Sequence, residues 1–213
     1  MNMVATHDVW LIRHGETEWT VSRRHTGLTD LALTTAGEDQ ARALRNRLRA
    51  VCFERVFCSP LQRAARTCEL SGYGSVAEVD RDLIEWNYGD YEGRKRPEIL
   101  AERPKWIIFR DGCPNGESPA DVAVRADRAI SCIRTISGNV AVFSSGHFLR
   151  VLIARWLGLD PSAGRYFKLG TAAISVLGYD HNSASEPVIR LLNERPHQGS
   201  DQRKPTAGRK SMS

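Results

Sequence analysis

The chain has 213 residues, 41% of them hydrophobic and 26% charged, enough for one domain with a sizeable core and ordinary for a soluble globular protein. No uninterrupted apolar stretch approaches the length of a membrane span, and residues 1–7 lack the apolar core of a signal peptide, so a cytoplasmic protein with no membrane contact is expected. The net charge is +5, but residues 196–213 hold four basic side chains against Asp201, so they carry +3 of it. This segment is rich in Ser, Gly, Lys and Arg and reads as a disordered basic tail beyond a domain spanning residues 8–195, with no nucleic-acid partner expected. The cysteines, Cys52, Cys58, Cys68, Cys113 and Cys132, are scattered and odd in number, with no Cys-x-x-Cys spacing; reduced thiols are expected and a zinc site is not.

In chain order, Val9–Ile12 is a short apolar run that reads as a buried strand. Thr35–Glu38 has capping-box spacing, and Ala41, Leu44, Leu48 and Val51 follow with helical periodicity. Arg55–Cys58 reads as a second strand. Ser59-Pro60 then predicts a helix start, Ser as cap and Pro in the first turn. A third strand is expected over residues 75–79. Residues 80–116, rich in Gly, Pro, Trp and charge, read as an insertion over the sheet, where substrate selection usually lives. Ser118-Pro119 opens a helix with Val122, Ala126, Ala129, Ile130 and Ile133 on one face. Val140–Ser144 is an apolar strand, Phe148–Leu157 a buried helix, and Ala173–Tyr179 and Val188–Leu192 are closing strands. Such alternation predicts an α/β fold, a sandwich with a mostly parallel sheet.

Arg13-His14-Gly15 directly follows the first strand, where ligands bind in folds of this kind. Arg offers a fork of donors matched to phosphate, and neutral imidazole can attack phosphorus. Gly lets the backbone approach an anion. Four further segments follow in order: Ser59-Pro60-Leu61-Gln62-Arg63-Ala64, residues 83–93 containing Glu85 and Tyr88-Gly89, Gly116-Glu117-Ser118, and Ser145-Gly146-His147-Phe148-Leu149-Arg150. Together these motifs resemble the histidine phosphatase superfamily, also called phosphoglycerate mutase-like, from about Val9 to about Leu192.

The resemblance implies a three-layer α/β/α sandwich and a cofactor-independent, metal-free phosphomonoesterase. His14 would be the nucleophile, Arg13 and Arg63 the phosphoryl clamp, and Glu85 the general acid. Arg66 and Glu92 stand as the alternatives to Arg63 and Glu85. Thr26 and Gly27 match a pocket-lining segment, and Thr20 stands where mutases carry Asn, with a hydroxyl still able to donate to phosphate. His25 and the basic run Arg94-Lys95-Arg96 are further candidates for contact with substrate or a second anionic group.

One departure matters. The family carries a second histidine immediately before Gly. Aligning Gly146 and Leu149-Arg150 puts Ser145 there; the other alignment puts His147 there and breaks the Leu-Arg match. Ser145 cannot bring positive charge, so the chain is read as a phosphatase of a small anionic ester, a sugar or acid phosphate, weakened by Ser145. His147 swinging inward would be a rescue. A phosphate-binding pseudoenzyme and a phosphoglycerate mutase are the other readings, and a homodimer is open.

Overall fold

The structure, a computed structural model, describes residues 7–195; the expected basic tail lies outside them. Thirteen elements follow one another: β1 (Val9–Arg13), α1 (Glu18–Val21), α2 (Thr35–Leu48), β2 (Arg55–Cys58), α3 (Gln62–Leu70), β3 (Ala77–Val79), α4 (Arg96–Glu102), α5 (Ile108–Asp111), α6 (Pro119–Ile133), β4 (Val140–Ser144), α7 (Gly146–Trp156), β5 (Ile174–Tyr179) and β6 (Pro187–Glu194). The sheet order is β3-β2-β4-β1-β5-β6. β3, β2, β4 and β1 are mutually parallel, while β5 runs antiparallel to β1 and to β6.

Successive strand residues point to opposite faces, and this builds two cores. Val9 and Leu11 of β1 and Val140 and Val142 of β4 face a core that includes the apolar faces of α6 and α7. Trp10, Ile12, Ala141 and Phe143 face the other, with Leu44 and Leu48 of α2 and Ala64 and Cys68 of α3. β4 is buried along its whole length, so it reads as an unbroken apolar run rather than an alternating one. The result is the expected three-layer α/β/α sandwich. Residues 80–116 send Trp86, Tyr88, Tyr91, Ile99, Trp106 and Phe109 into the first core, which fixes that segment over one face of the sheet. The cysteines are all free.

Several boundaries differ from the sequence expectation. α2 is capped by Thr34, whose hydroxyl accepts from the Gly37 N–H, and Glu38 instead pairs with Arg42 and Arg66. α3 begins at Gln62, not Pro60, and its cap residue Leu61 has no side chain to offer. The Gln62 N–H is satisfied from outside, by Asp30 Oδ1 at 2.8 Å. Arg63 therefore sits in the first turn of α3. The expected third strand is shorter, its first residues forming a 3-10 turn at Gly74–Val76. α7 starts two residues early, at Gly146.

Candidate active site

The ends of the parallel strands deliver the predicted residues to one place. Parallel register sets Arg13 beside Ser144, and the His14 N–H donates to the Ser144 carbonyl at 3.0 Å. His14 and Ser145 therefore leave the sheet side by side. Close packing next to them depends on glycine: a Cβ on Gly15 would lie 2.4 Å from the Gly37 carbonyl oxygen, so the loop after β1 rests directly on α2.

His14 is buried, and its Nδ1 lies 2.7 Å from the Gly15 carbonyl. A carbonyl can only accept, so Nδ1 carries the proton and Nε2 keeps its lone pair. Burial first, then the charges of Arg13 and Arg63, push the imidazole well below the usual histidine range, which keeps it neutral. Arg13 donates from Nη1 to the Leu169 carbonyl at 2.7 Å. Arg63 is wholly buried and donates to the carbonyls of Thr29, Gly27 and Thr26. Burial lowers both guanidinium groups, with Glu85 acting against it. The Nε of each, and Ser145 Oγ, are buried without a hydrogen-bond partner. Buried donors without acceptors are costly, and such donors beside a neutral imidazole suit an oxyanion.

Glu85 is 4% exposed. Its Oε1 accepts from the N–H of Trp86 and Phe148, and its Oε2 from the N–H of His147. The carboxylate thus occupies the N-terminus of α7, where Ser145, in the cap position, makes no side-chain bond. His147 has Nδ1 on the Tyr88 hydroxyl and packs edge-on against Phe109, with ring centroids 5.3 Å apart. Burial, then Arg150, His25 and Arg13, lower its pKa well below the usual value. It stands in the wall of the site in this conformation.

Several of these residues surround a cavity of about 290 Å³. Arg13, His14, Thr20, Thr26, Glu85, Gly146 and His147 line it, as does His25. Arg63, Ser145 and Gly27 are not part of the lining. The Thr20 hydroxyl proton is already donated to the Thr17 carbonyl at 2.8 Å, so the expected donation to phosphate conflicts with a helix cap. Gly27 supports the site from behind: its carbonyl accepts from Arg63, and its N–H binds Glu92. That places Glu92 in a structural role on the loop. Arg66 pairs with Glu38 and Glu69 instead. Of the basic run only Arg96 reaches the cavity; Arg94 pairs with Glu102.

Sequence reasoning missed the part played by Arg23, Arg24, Tyr88 and Arg150, all of which line the cavity. Arg23-Arg24 beside His25 was the available signal. Arg150 is held by its Nε on the Gly164 carbonyl at 2.9 Å, and burial lowers its pKa to about 10. Among the described residues one group could ligate a metal, Asp180, His181 and Glu186; it is exposed near the β5–β6 turn and lines no part of the cavity.

A model of the histidine phosphatase superfamily (branch 1) matches residues 9–194. The chain belongs to that superfamily. The chain is 39% identical over 192 residues to an acid phosphatase of Mycobacterium tuberculosis, with 88% of this chain and 94% of the relative covered. It is 36% identical over 201 residues to a protein of Erwinia tasmaniensis named as a probable phosphoglycerate mutase, with 89% and 94% covered. A solved structure of an open reading frame from Mycobacterium tuberculosis superposes with a TM-score of 0.85 at 38% identity, covering 90% of this chain and 99% of that one.

Proposed function

We propose that the protein is a phosphomonoesterase acting on a small anionic phosphate ester through a phosphohistidine at His14. The observation that carries this is the His14 ring: Nδ1 tied to the Gly15 carbonyl, Nε2 free, and the unpartnered donors of Arg13, Arg63 and Ser145 close by. Nε2 attacks phosphorus, and the ester oxygen leaves with the bonding electron pair. Glu85 gives that oxygen a proton, then takes one from a water molecule that displaces phosphate from Nε2. Arg13 and Arg63 neutralise the equatorial oxygens throughout, the main demand of phosphoryl transfer. The guanidinium groups supply the positive charge that a metal supplies elsewhere.

Ser145 limits the rate. It stands beside the nucleophile, where an imidazolium could share phosphoryl charge, and offers one neutral hydroxyl. Replacing a missing preorganised donor is worth on the order of 100- to 1,000-fold. Ser145→His is therefore expected to raise kcat by about that factor, with His14→Ala inactive in either background. Enzyme denatured in alkali during turnover, where a phosphoramidate survives, should show its signal by phosphorus NMR, and His14→Ala should lack it.

A second reading, a phosphate-ester-binding pseudoenzyme, is favoured by Ser145 itself. Tight ester binding, with no turnover by the native chain or by Ser145→His, would establish it. Conversion of 3-phosphoglycerate in the presence of a bisphosphate primer, faster than hydrolysis, would instead make the protein a mutase.

A further inference from the structure

A second cavity, of about 460 Å³, adjoins the first. The two share His25, Arg96, His147 and Arg150 as walls. Beyond that shared wall the chemistry changes, because Trp106, Ile107, Phe109 and Tyr166 line the second space. These come from the insertion and from the 3-10 segment Pro161–Tyr166.

The apolar wall is preformed. The Trp106 Nε1–H donates to the Gly112 carbonyl at 2.8 Å, and the Ile107 N–H to Asp111 Oδ2 at 2.7 Å, which fixes the first turn of α5. Phe109 is clamped between Trp86, edge-on with centroids 5.6 Å apart, and the Arg150 guanidinium, 4.3 Å over its ring. Gly164 permits this, since a Cβ there would lie 2.7 Å from Phe109 Cε1. At the rim the Arg165 guanidinium lies 4.6 Å over Tyr166, whose ring is 71% exposed. The exposed Tyr166 ring backed by a guanidinium plane favours a flat π-system, which stacks on both, and the buried Phe109 and Trp106 give it an apolar floor.

We propose that the second cavity is the leaving-group subsite and that the preferred substrate is a phosphomonoester carrying a planar aromatic group. This rests on the phosphatase reading. It replaces the sugar or acid phosphate expected from the motifs alone, because a polyhydroxylated leaving group would leave hydroxyls unpaired against Ile107 and the rings. The aromatic ring could sit on a short alkyl arm or on a ribose, and the two differ in reach.

The test compares 2-(1-naphthyl)ethyl phosphate, adenosine 5′-monophosphate and glucose 6-phosphate. All three leave as primary alkoxides, so intrinsic reactivity does not favour the aromatic esters. At least one aromatic ester should exceed glucose 6-phosphate in kcat/KM by roughly tenfold or more, as apolar discrimination allows. The faster of the two identifies the spacer. Ile107→Asn and Tyr166→Ala should each shrink that ratio by several-fold. A ratio near one, or one that neither variant alters, overturns the proposal. If no ester is hydrolysed, the phosphatase reading fails by itself, and calorimetry on the same chain decides the subsite. Tighter binding of the naphthyl ester than of glucose 6-phosphate, weakened in both variants, supports it; equal affinities sink it.

Discussion

Gly146 shows how closely the site is packed at the level of single atoms. A Cβ at this position would lie 3.1 Å from Arg13 Nε and 3.2 Å from its Cζ. The guanidinium can yield only by moving, and it is already held by the Leu169 carbonyl. Gly146→Ala should therefore cost on the order of 10- to 100-fold in kcat/KM, the usual penalty for a misplaced catalytic group. Its melting temperature should stay near that of the parent, because the first position of a helix tolerates Ala. Steady-state kinetics beside a thermal melt checks both halves. The motif residues Arg13, His14 and Glu85 were legible in the sequence because each sits in a short, ordered segment. Tyr88 and Arg150 were present in the same segments, yet their place in the cavity depends on long-range packing. The Tyr88–His147 bond spans 59 residues, and nothing local announces it.

At the level of elements, α3 is the informative case. Its first turn carries Arg63, and that turn has no cap of its own. Asp30 supplies one from 32 residues away, accepting the Gln62 N–H on Oδ1, while its carbonyl accepts from Gln62 Nε2 at 2.6 Å. Ser59-Pro60 was a sound local signal for a helix start, but the acceptor chosen by the fold lies on another loop, which no local pattern reveals. Asp30→Ala should destabilise the protein by about 1 kcal/mol, as loss of an N-cap does. Because the frayed turn is the one that holds Arg63, kcat/KM should fall as well. Urea titration and kinetics on the same variant test the pair of effects; lost stability with unchanged catalysis would detach Arg63 from that turn. Strands β1 and β4, by contrast, were readable almost to the residue, since a strand buried on both faces can only be an apolar run.

For the molecule as a whole, the four parallel strands end on one edge. β1 leads to His14, β2 to Arg63, β3 to Glu85 and β4 to Ser145. The sequence order of these elements implied a parallel sheet, but the strand order that gathers them does not follow from local pattern. Burial of titratable groups on that edge sets how stability varies with pH. His14 and His147 both titrate well below the usual histidine value in the folded chain, whereas in the unfolded chain they take up protons near pH 6.5. Folding stability from these two groups is complete above about pH 6.5 and is lost as pH falls toward their folded values. Melts between pH 8 and pH 5 should therefore move downward on the acid side. His147→Phe should lose less across that interval than the parent, and an equal loss would show that His147 does not contribute.

The same buried donors that would hold a phosphoryl group cannot tell an ester from free phosphate. The Nε atoms of Arg13 and Arg63 are buried without partners, and the product carries the same oxygens as the group transferred. The reaction should thus slow itself. Progress curves should bend early, inorganic phosphate should compete with ester, and a coupled assay that removes phosphate should straighten the trace. In a cell, such a protein would work fastest where phosphate is scarce.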